Sequence, residues 1–532
     1  FASGGSSSAG VFNAGQRAFS FAAPSGYKSL CTTNLPKPVI ADGSTYFDAI
    51  AYTGTGSSKT ISGLGFTPDL IWTKCRNAAR SNYLMDTVRG ITKYLISEQT
   101  GAEGTNSTNR ILSLTSDGYT LGTNNGFNGN GDTYVAWTWD AGSSNTSVSA
   151  GSLNSSVYDQ SQTWSTTNYN SNSNVNSSYP VTRVFDGDIT QAGGTYAGVC
   201  FPSTSGSASS RYIQFDFTEF ASATSVEVIV STYGTGWSLE VNGSSVSGVP
   251  TSNIPNTSVT VSVSGFTSIK WTTVDGNNFI GVAGIKVDGK LLVDSSVSVA
   301  NVPSIASTVR ANPTAGFSIV SWTGTGANAT IGHGLNADIG MIIVKRRTGG
   351  AASWPVWHST FVTANTGDYL FLDATDAKGT GSYAFWNNTA PTSSVFSVSS
   401  NANLNNSGDP YIAYCFAPVE GFSAMGKYVA TNGSPGAFVY LGFRPKFIMV
   451  KKYTAAGTWY VFDSARSPDN VVRHQLYWNS SSAEYSGSPD RMDFLSNGFS
   501  LKSGTGDPNS TGTYIYLAFA ENPFSANGGL AR

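Results

Sequence analysis

Short apolar or alternating runs, separated by Gly, Asn, Asp and Ser, fill most of the chain, and almost no stretch carries the spacing of an amphipathic helix. This pattern recurs. A β-rich opening stretch stands at Tyr46–Phe47–Asp48, at Phe317–Trp322 and at Phe422–Tyr428, and after a turn each leads to a second run, Pro68–Lys74, Ala337–Lys345 and Pro445–Lys451. Leu114–Leu121 and Phe494–Leu501 follow as hairpins, with Asp117-Gly118 and Asn497-Gly498 as their two-residue turns. The middle copy keeps the alternation at Ser393–Val398 but lacks the Gly. Each copy closes on an aromatic strand: Tyr134–Trp139, Tyr411–Phe416 and Tyr514–Phe519.

These spacings predict three copies of one β-sandwich repeat, at 46–141, 315–418 and 419–525. Copies two and three abut at Ala417–Glu420 and are expected to share a rigid interface. Residues 142–175, rich in Ser, Asn and Thr, read as a polar linker. Five runs of period-two alternation then predict an unrelated sandwich over 176–298: Arg211–Phe217, Ser225–Val230, Trp237–Val241, Ser258–Val263 and Gly284–Lys290. Residues 299–314 link it to copy two, 1–45 precede copy one, and 526–532 are a tail. The predicted fold is all-β, with tandem antiparallel sandwiches of jelly-roll type and one inserted sandwich.

Composition narrows the function classes. Only 12% of the 532 residues are charged, about half the usual share, so hydroxyls and amides must solvate the surface. Disorder is excluded by 29 Phe, 25 Tyr and 12 Trp, which supply packed cores. With a net charge of −2 and no Lys/Arg cluster, the chain lacks the electrostatic footprint of a nucleic-acid binder. No apolar run approaches the ~20 residues of a membrane span, so no membrane insertion is expected. Cys31, Cys75, Cys200 and Cys415 are scattered among the predicted domains and read as small core side chains. The chain begins at Phe1 and not at Met, which leads us to expect an upstream part.

Pro68–Lys74, Asp86–Gly90, Ser116–Gly122 and Gly131–Trp137 closely resemble a domain of unknown function that is repeated in tail-fibre and virion structural proteins of marine tailed phages, cyanophages among them. Copies two and three are similar to it in weaker form. Phe12–Arg17, Gly26–Leu30 and Asn34–Pro36 resemble the C-terminal edge of a SPRY-type, concanavalin-like domain. The insert, with Thr182–Asp188 near its start and Ile285–Lys290 at its end, is similar to discoidin-like, galactose-binding-like insertions of such phage proteins. The resemblance implies a virion location, contacts with other virion proteins, and a homo-oligomer, expected as a trimer.

Candidate chemistry is sparse. Acid–base work would fall to three histidines, His333, His358 and His474, but copy one has none and His358 stands where the other copies place Asp86 and Asp463, so they read as exposed or hydrogen-bonded loop residues. Asp86–Arg89 and Asp463–Arg466 recur at matching positions and read as structural ion pairs or turn caps. Among the tryptophans, Trp137 and Trp139 alternate on a closing strand and read as core. For Trp164, Trp237, Trp354, Trp459 and Trp478, which lie in loop-like contexts, the core reading also leads, and they are the candidate stacking platforms for a sugar ligand. Asp186 and Asp188 flank Gly187 in an oxygen-rich turn. They are the candidate ligands of a structural Ca2+, the sole cofactor considered, against an Asx-type turn without metal.

The expectation is a non-enzymatic structural protein of a phage virion, most simply a tail fibre or appendage that adheres to a host-surface glycan or protein. A capsid decoration or head-fibre protein, a polysaccharide-degrading tailspike and a cellular surface adhesin are the alternatives. A tailspike would need two carboxylates facing across a groove.

Overall fold

Six consecutive residues, Leu70–Cys75, are buried at every position, as are six of seven in Thr133–Trp139 and in Pro410–Phe416. A strand buried on both faces needs a layer on each side, and that requirement organises the molecule. The computed structural model describes residues 38–523 except 151–162, 167–168, 172–174, 176, 190–198, 203–210, 252–253, 274–277, 296, 298–301, 362–366, 382, 489–490 and 503–505. The SPRY-like motifs, Cys31 and the 526–532 tail lie outside the described residues.

Each repeat is a large antiparallel sheet backed by a small one. In module one the large sheet runs in the order Phe47–Thr53, Thr133–Trp139, Leu70–Cys75, Tyr83–Asp86, Lys93–Ile96, Gly104–Thr105, and the small sheet is Lys59–Ser62, Gly118–Leu121, Ile111–Thr115. Module two repeats this with Phe317–Thr323, Pro410–Phe416, Met341–Arg346, Pro355–His358 and Leu370–Phe371, backed by Ala329–Gly332 and Val395–Val398. In module three the large sheet is Ser423–Ala430, Gly512–Pro523, Phe443–Lys452, Trp459–Asp463 and Leu476–Tyr477, backed by Phe438–Tyr440, Gly498–Leu501 and Met492–Leu495. Registers match: Leu70 pairs with Trp139, Met341 with Phe416, and Phe447 with Phe519.

Gly118, with a positive φ, lets its strand approach the partner so closely that a Cβ would lie 1.9 Å from the Ile61 carbonyl oxygen. Gly498 meets Val439 in the same way. In module two the small residue has changed strands, Gly332 facing Val395, which accounts for the missing hairpin Gly there.

Alternation on the closing strands sends side chains into two cores. In module one Ala136 joins its own sandwich core with Ile61, Met85 and Tyr119, whereas Val135, Trp137 and Trp139 face the other way. In module two Tyr411, Ala413 and Cys415 face the small sheet, and Ile412, Tyr414 and Phe416 face away. The faces turned away from all three modules meet in one continuous core. At its centre the equivalent residues Trp139, Phe416 and Phe519 form a triangle with ring centroids 6.2, 5.9 and 6.1 Å apart. The copies are thus tandem in sequence but closed in space, as an intramolecular pseudo-threefold ring. Burial of each such ring contributes about 1.5–3 kcal/mol.

The insert is a sandwich of two antiparallel sheets, one built on Arg211–Phe220 and Phe266–Thr273, the other on Ser225–Tyr233, Ile254–Ser262 and Phe279–Val287. Phe215, Trp271, Val228 and Ile285 fill its core. Its flanks differ from the expected linkers. Thr146–Val148 pairs with Ser307–Asn312, which pairs with Phe317–Thr323, so both flanks extend the large sheet of module two. Three residues are too few for period-two alternation to register in a Ser/Thr-rich stretch, yet Val148 and Val309 are buried there.

Candidate functional site

Each second strand carries a lysine, at Lys74, Lys345 and Lys451, and all three are buried between modules. The Lys74 ammonium donates to the carbonyl oxygens of Arg80 in its own module and Ser481 of module three (2.8 Å). Lys345 donates to Thr100 of module one (2.8 Å) and to Ala352. Lys451 donates to Thr375 and Asp376 of module two (3.1 and 2.9 Å). Module one thus reaches module three, three reaches two, and two reaches one: a heterologous contact that closes after three steps. Eight or nine residues further on, Asn82, Trp354 and Trp459 make the same circuit, donating to Ser480 (3.0 Å), Gln99 (2.9 Å) and Phe371 (2.9 Å) carbonyls.

Burial pushes the three ammonium groups down to about 8. The unfolded value is ~10.4, so above pH 8 the unfolded chain holds more protons than the folded one, and stability rises with pH up to the unfolded value. The same contribution is lost as pH falls through 8. Wild type is therefore expected to gain on a Lys345→Met variant by on the order of 2 kcal/mol between pH 7.5 and 10, read from urea midpoints. A gap that does not change with pH contradicts this.

A second circuit runs nearer the axis. Asp86 accepts from the Tyr414 hydroxyl of module two (2.8 Å), and Asp463 accepts from the Trp137 indole of module one (2.9 Å). Each carboxylate also pairs with a fully buried arginine, Arg89 at 2.5 Å and Arg466 at 2.7 Å, and caps that arginine's backbone N–H. Glu103 then bridges Arg89 to Arg347 of module two, and Glu484 bridges Arg466 to Arg76 of module one. At the third interface the residue of module three equivalent to Trp137 and Tyr414 is Leu517, which offers no donor. Here the carboxylate position is His358, whose Nδ1 accepts from the Thr360 N–H (3.2 Å), leaving Nε2–H to donate to the Tyr516 carbonyl (3.2 Å). Burial lowers His358 to about 4, so it is neutral at ordinary pH. The histidine is thus an inter-module donor suited to the partner it meets.

His333 is likewise buried, lowered to about 4 and bonded through Nε2 to the Thr392 carbonyl (3.0 Å). His474 lies between Ser467 Oγ (2.8 Å from Nδ1) and Glu484 (3.9 Å from Nε2), an outline of a nucleophile–base–orienter set. Ser467 is buried, 3.9 Å is too long for a hydrogen bond, and Glu484 is already held by two guanidinium groups. Glu484 serves the module one–module three interface.

Four of the five candidate stacking tryptophans have no face to offer a ligand. Trp478 stacks on Trp72 of module one at 3.9 Å, Trp354 and Trp459 sit in the inter-module circuit, and Trp164 lies against Phe220 in the core of the insert. Trp237 is half-buried against the same core, its indole bonded to the Gly234 carbonyl (3.0 Å). The loops of Trp354, Trp459 and Trp478 turn inward because a neighbouring module offers each indole an acceptor or a ring. Asp186 Oδ1 accepts from the Asp188 N–H at 2.8 Å, an Asx turn. Ca2+ takes six to eight oxygens, so the Asp186 and Asp188 carboxylates alone would not complete its shell. Among the described residues no group of three or more His, Cys, Asp and Glu converges.

Two aromatics that do face solvent were not singled out from the sequence. Phe438 and Tyr440 are 51% and 65% exposed on the edge strand of module three. Comparison of that strand with Lys59–Ser62 and Ala329–Gly332 is the signal that finds them.

One family model, described as a domain of unknown function (DUF7483), matches residues 42–184 and 250–523. No curated protein matches. Among solved structures, the Faustovirus major capsid protein aligns over 94% of this chain and 89% of its own at 9% identity, with a TM-score of 0.07, a value at which the folds are not alike.

Proposed function

The chain belongs to the DUF7483 family, and on that premise we propose that it is a non-enzymatic structural component of a phage virion, a tail fibre or appendage whose outward surfaces adhere to the host. The observation that carries this reading is the use of polar chemistry. The recurring Lys, Asp, Arg and Glu positions, and His358, are engaged in holding three modules together, as a scaffold requires. The insert hangs from a two-stranded stem on module two, and residues 185–249, outside the family match, lie within it. Association into a trimer would then use surfaces outside the ring, since the modules supply one another's apolar faces.

Immunogold labelling of the phage particles that carry this chain tests the reading. Label on the tail is expected, together with inhibition of adsorption by the purified chain. Label on the head favours a decoration protein, and unlabelled particles contradict the proposal.

A further inference from the structure

We propose that the outer face of the small sheet in module three is a binding platform for an uncharged saccharide, with Phe438 and Tyr440 as its stacking residues. This rests on the adhesive reading and gives it a place on the molecule. Strand Phe438–Tyr440 alternates exposed, buried, exposed, so Val439 enters the core and both rings point outward, about 7 Å apart along the strand. Cross-strand pairs share a face, which sets out two rows: Phe438, Ser500 and Asp493, then Tyr440, Gly498 and Leu495. Gly498 has no side chain, so nothing rises from the sheet opposite Tyr440.

The sister copies show that the fold does not need these rings. At the same positions module one carries Thr60 and Ser62, with Thr120 beside Thr60 (3.3 Å between hydroxyls). Module two carries Thr330 and Gly332, and there the edge is occupied by the chain's own residues 302–305: Thr330 donates to the Val302 carbonyl (2.6 Å) and Ile305 bridges to Ile331. Module three alone has aromatics at both positions, and it exposes them. Exposing two large rings without a partner gains the fold nothing.

Charge and area select the occupant. Asp493 is neutralised by Lys502 at 2.7 Å, so the face presents hydroxyls and π-surfaces without a net field, which suits a neutral ligand. The two rings expose roughly 250 Å² between them, well short of the ~800 Å² per partner of a stable protein interface. A ring-shaped ligand with an apolar face and a hydroxylated rim fits both limits.

The test is affinity electrophoresis of the full chain in native gels containing dextran, mannan, arabinogalactan or alginate, beside a Phe438→Thr/Tyr440→Ser variant. The variant carries module one's residues at these two positions, so it is expected to keep the wild-type melting temperature. The proposal expects retardation of wild type in at least one neutral gel and at least a tenfold weaker affinity for the variant. Equal retardation of both proteins overturns this site and leaves the adhesive reading intact. Retardation by alginate alone overturns the neutral-saccharide assignment, as does variant-sensitive self-association without retardation. A wild type that is neither retarded nor adherent to host cells overturns site and reading together.

Discussion

Trp139→Ala is expected to destabilise the ring by about 3–5 kcal/mol, and to loosen modules two and three as well as its own. The indole is one corner of the triangle completed by Phe416 and Phe519, and it also contacts Phe47, Phe317 and Phe447. Those neighbours are fixed by sheets of three modules, so the cavity cannot collapse without moving whole sheets, and the cost belongs at the upper end of the range for aromatic truncation. The measurement is a urea midpoint together with thiol labelling of Cys415, which is buried in module two. Faster labelling of Cys415 in the variant is expected; a loss confined to module one contradicts it.

Asp463→Ala should cost about as much, 3–5 kcal/mol, for a different reason. The substitution strands the fully buried Arg466 guanidinium and leaves the Trp137 indole N–H without its acceptor, across an interface that water does not reach. Removing one partner of a buried pair is costly because the remaining charge stays desolvated. Asp463→Asn keeps an acceptor for Trp137 and is expected to lose less. A partly exposed pair such as Lys270–Glu240, 3.7 Å apart, should change stability by under ~1 kcal/mol when broken. Denaturant titration of the three variants gives the order; near-equal losses would argue against a dry interface.

The strands of these modules were legible because period-two alternation and hairpin turns are local, and threefold repetition made each copy a check on the others. The recurrence of Asp86–Arg89 and Asp463–Arg466 likewise pointed to structure, and both are buried ion pairs that cap a turn. Ring closure was not legible. An apolar strand face looks the same whether another chain or another module covers it, so the sequence pattern left the covering of Trp137 and Trp139 open. The same limit left Trp354, Trp459 and Trp478 open as stacking platforms beside their core reading, since their loop-like flanks carry no sign of the acceptor or ring waiting in the next module. Lys74, Lys345 and Lys451 ended three apolar runs in plain view. A lysine at a strand end ordinarily marks solvent, and here carbonyl oxygens of its own and the neighbouring module make burial affordable.

The central claim is that three modules close on one another. Thr53, Thr323 and Val429 are equivalent by register to one another, through Thr133, Pro410 and Thr513, and all three are exposed. Spin labels on cysteines placed at these positions two at a time, with Cys31 replaced by Ser, give three distances by pulsed electron resonance. The ring predicts three equal distances within the reach of the label. A module one–module three distance much longer than the distance between modules two and three would mean that the copies are strung in a line, and would contradict the account.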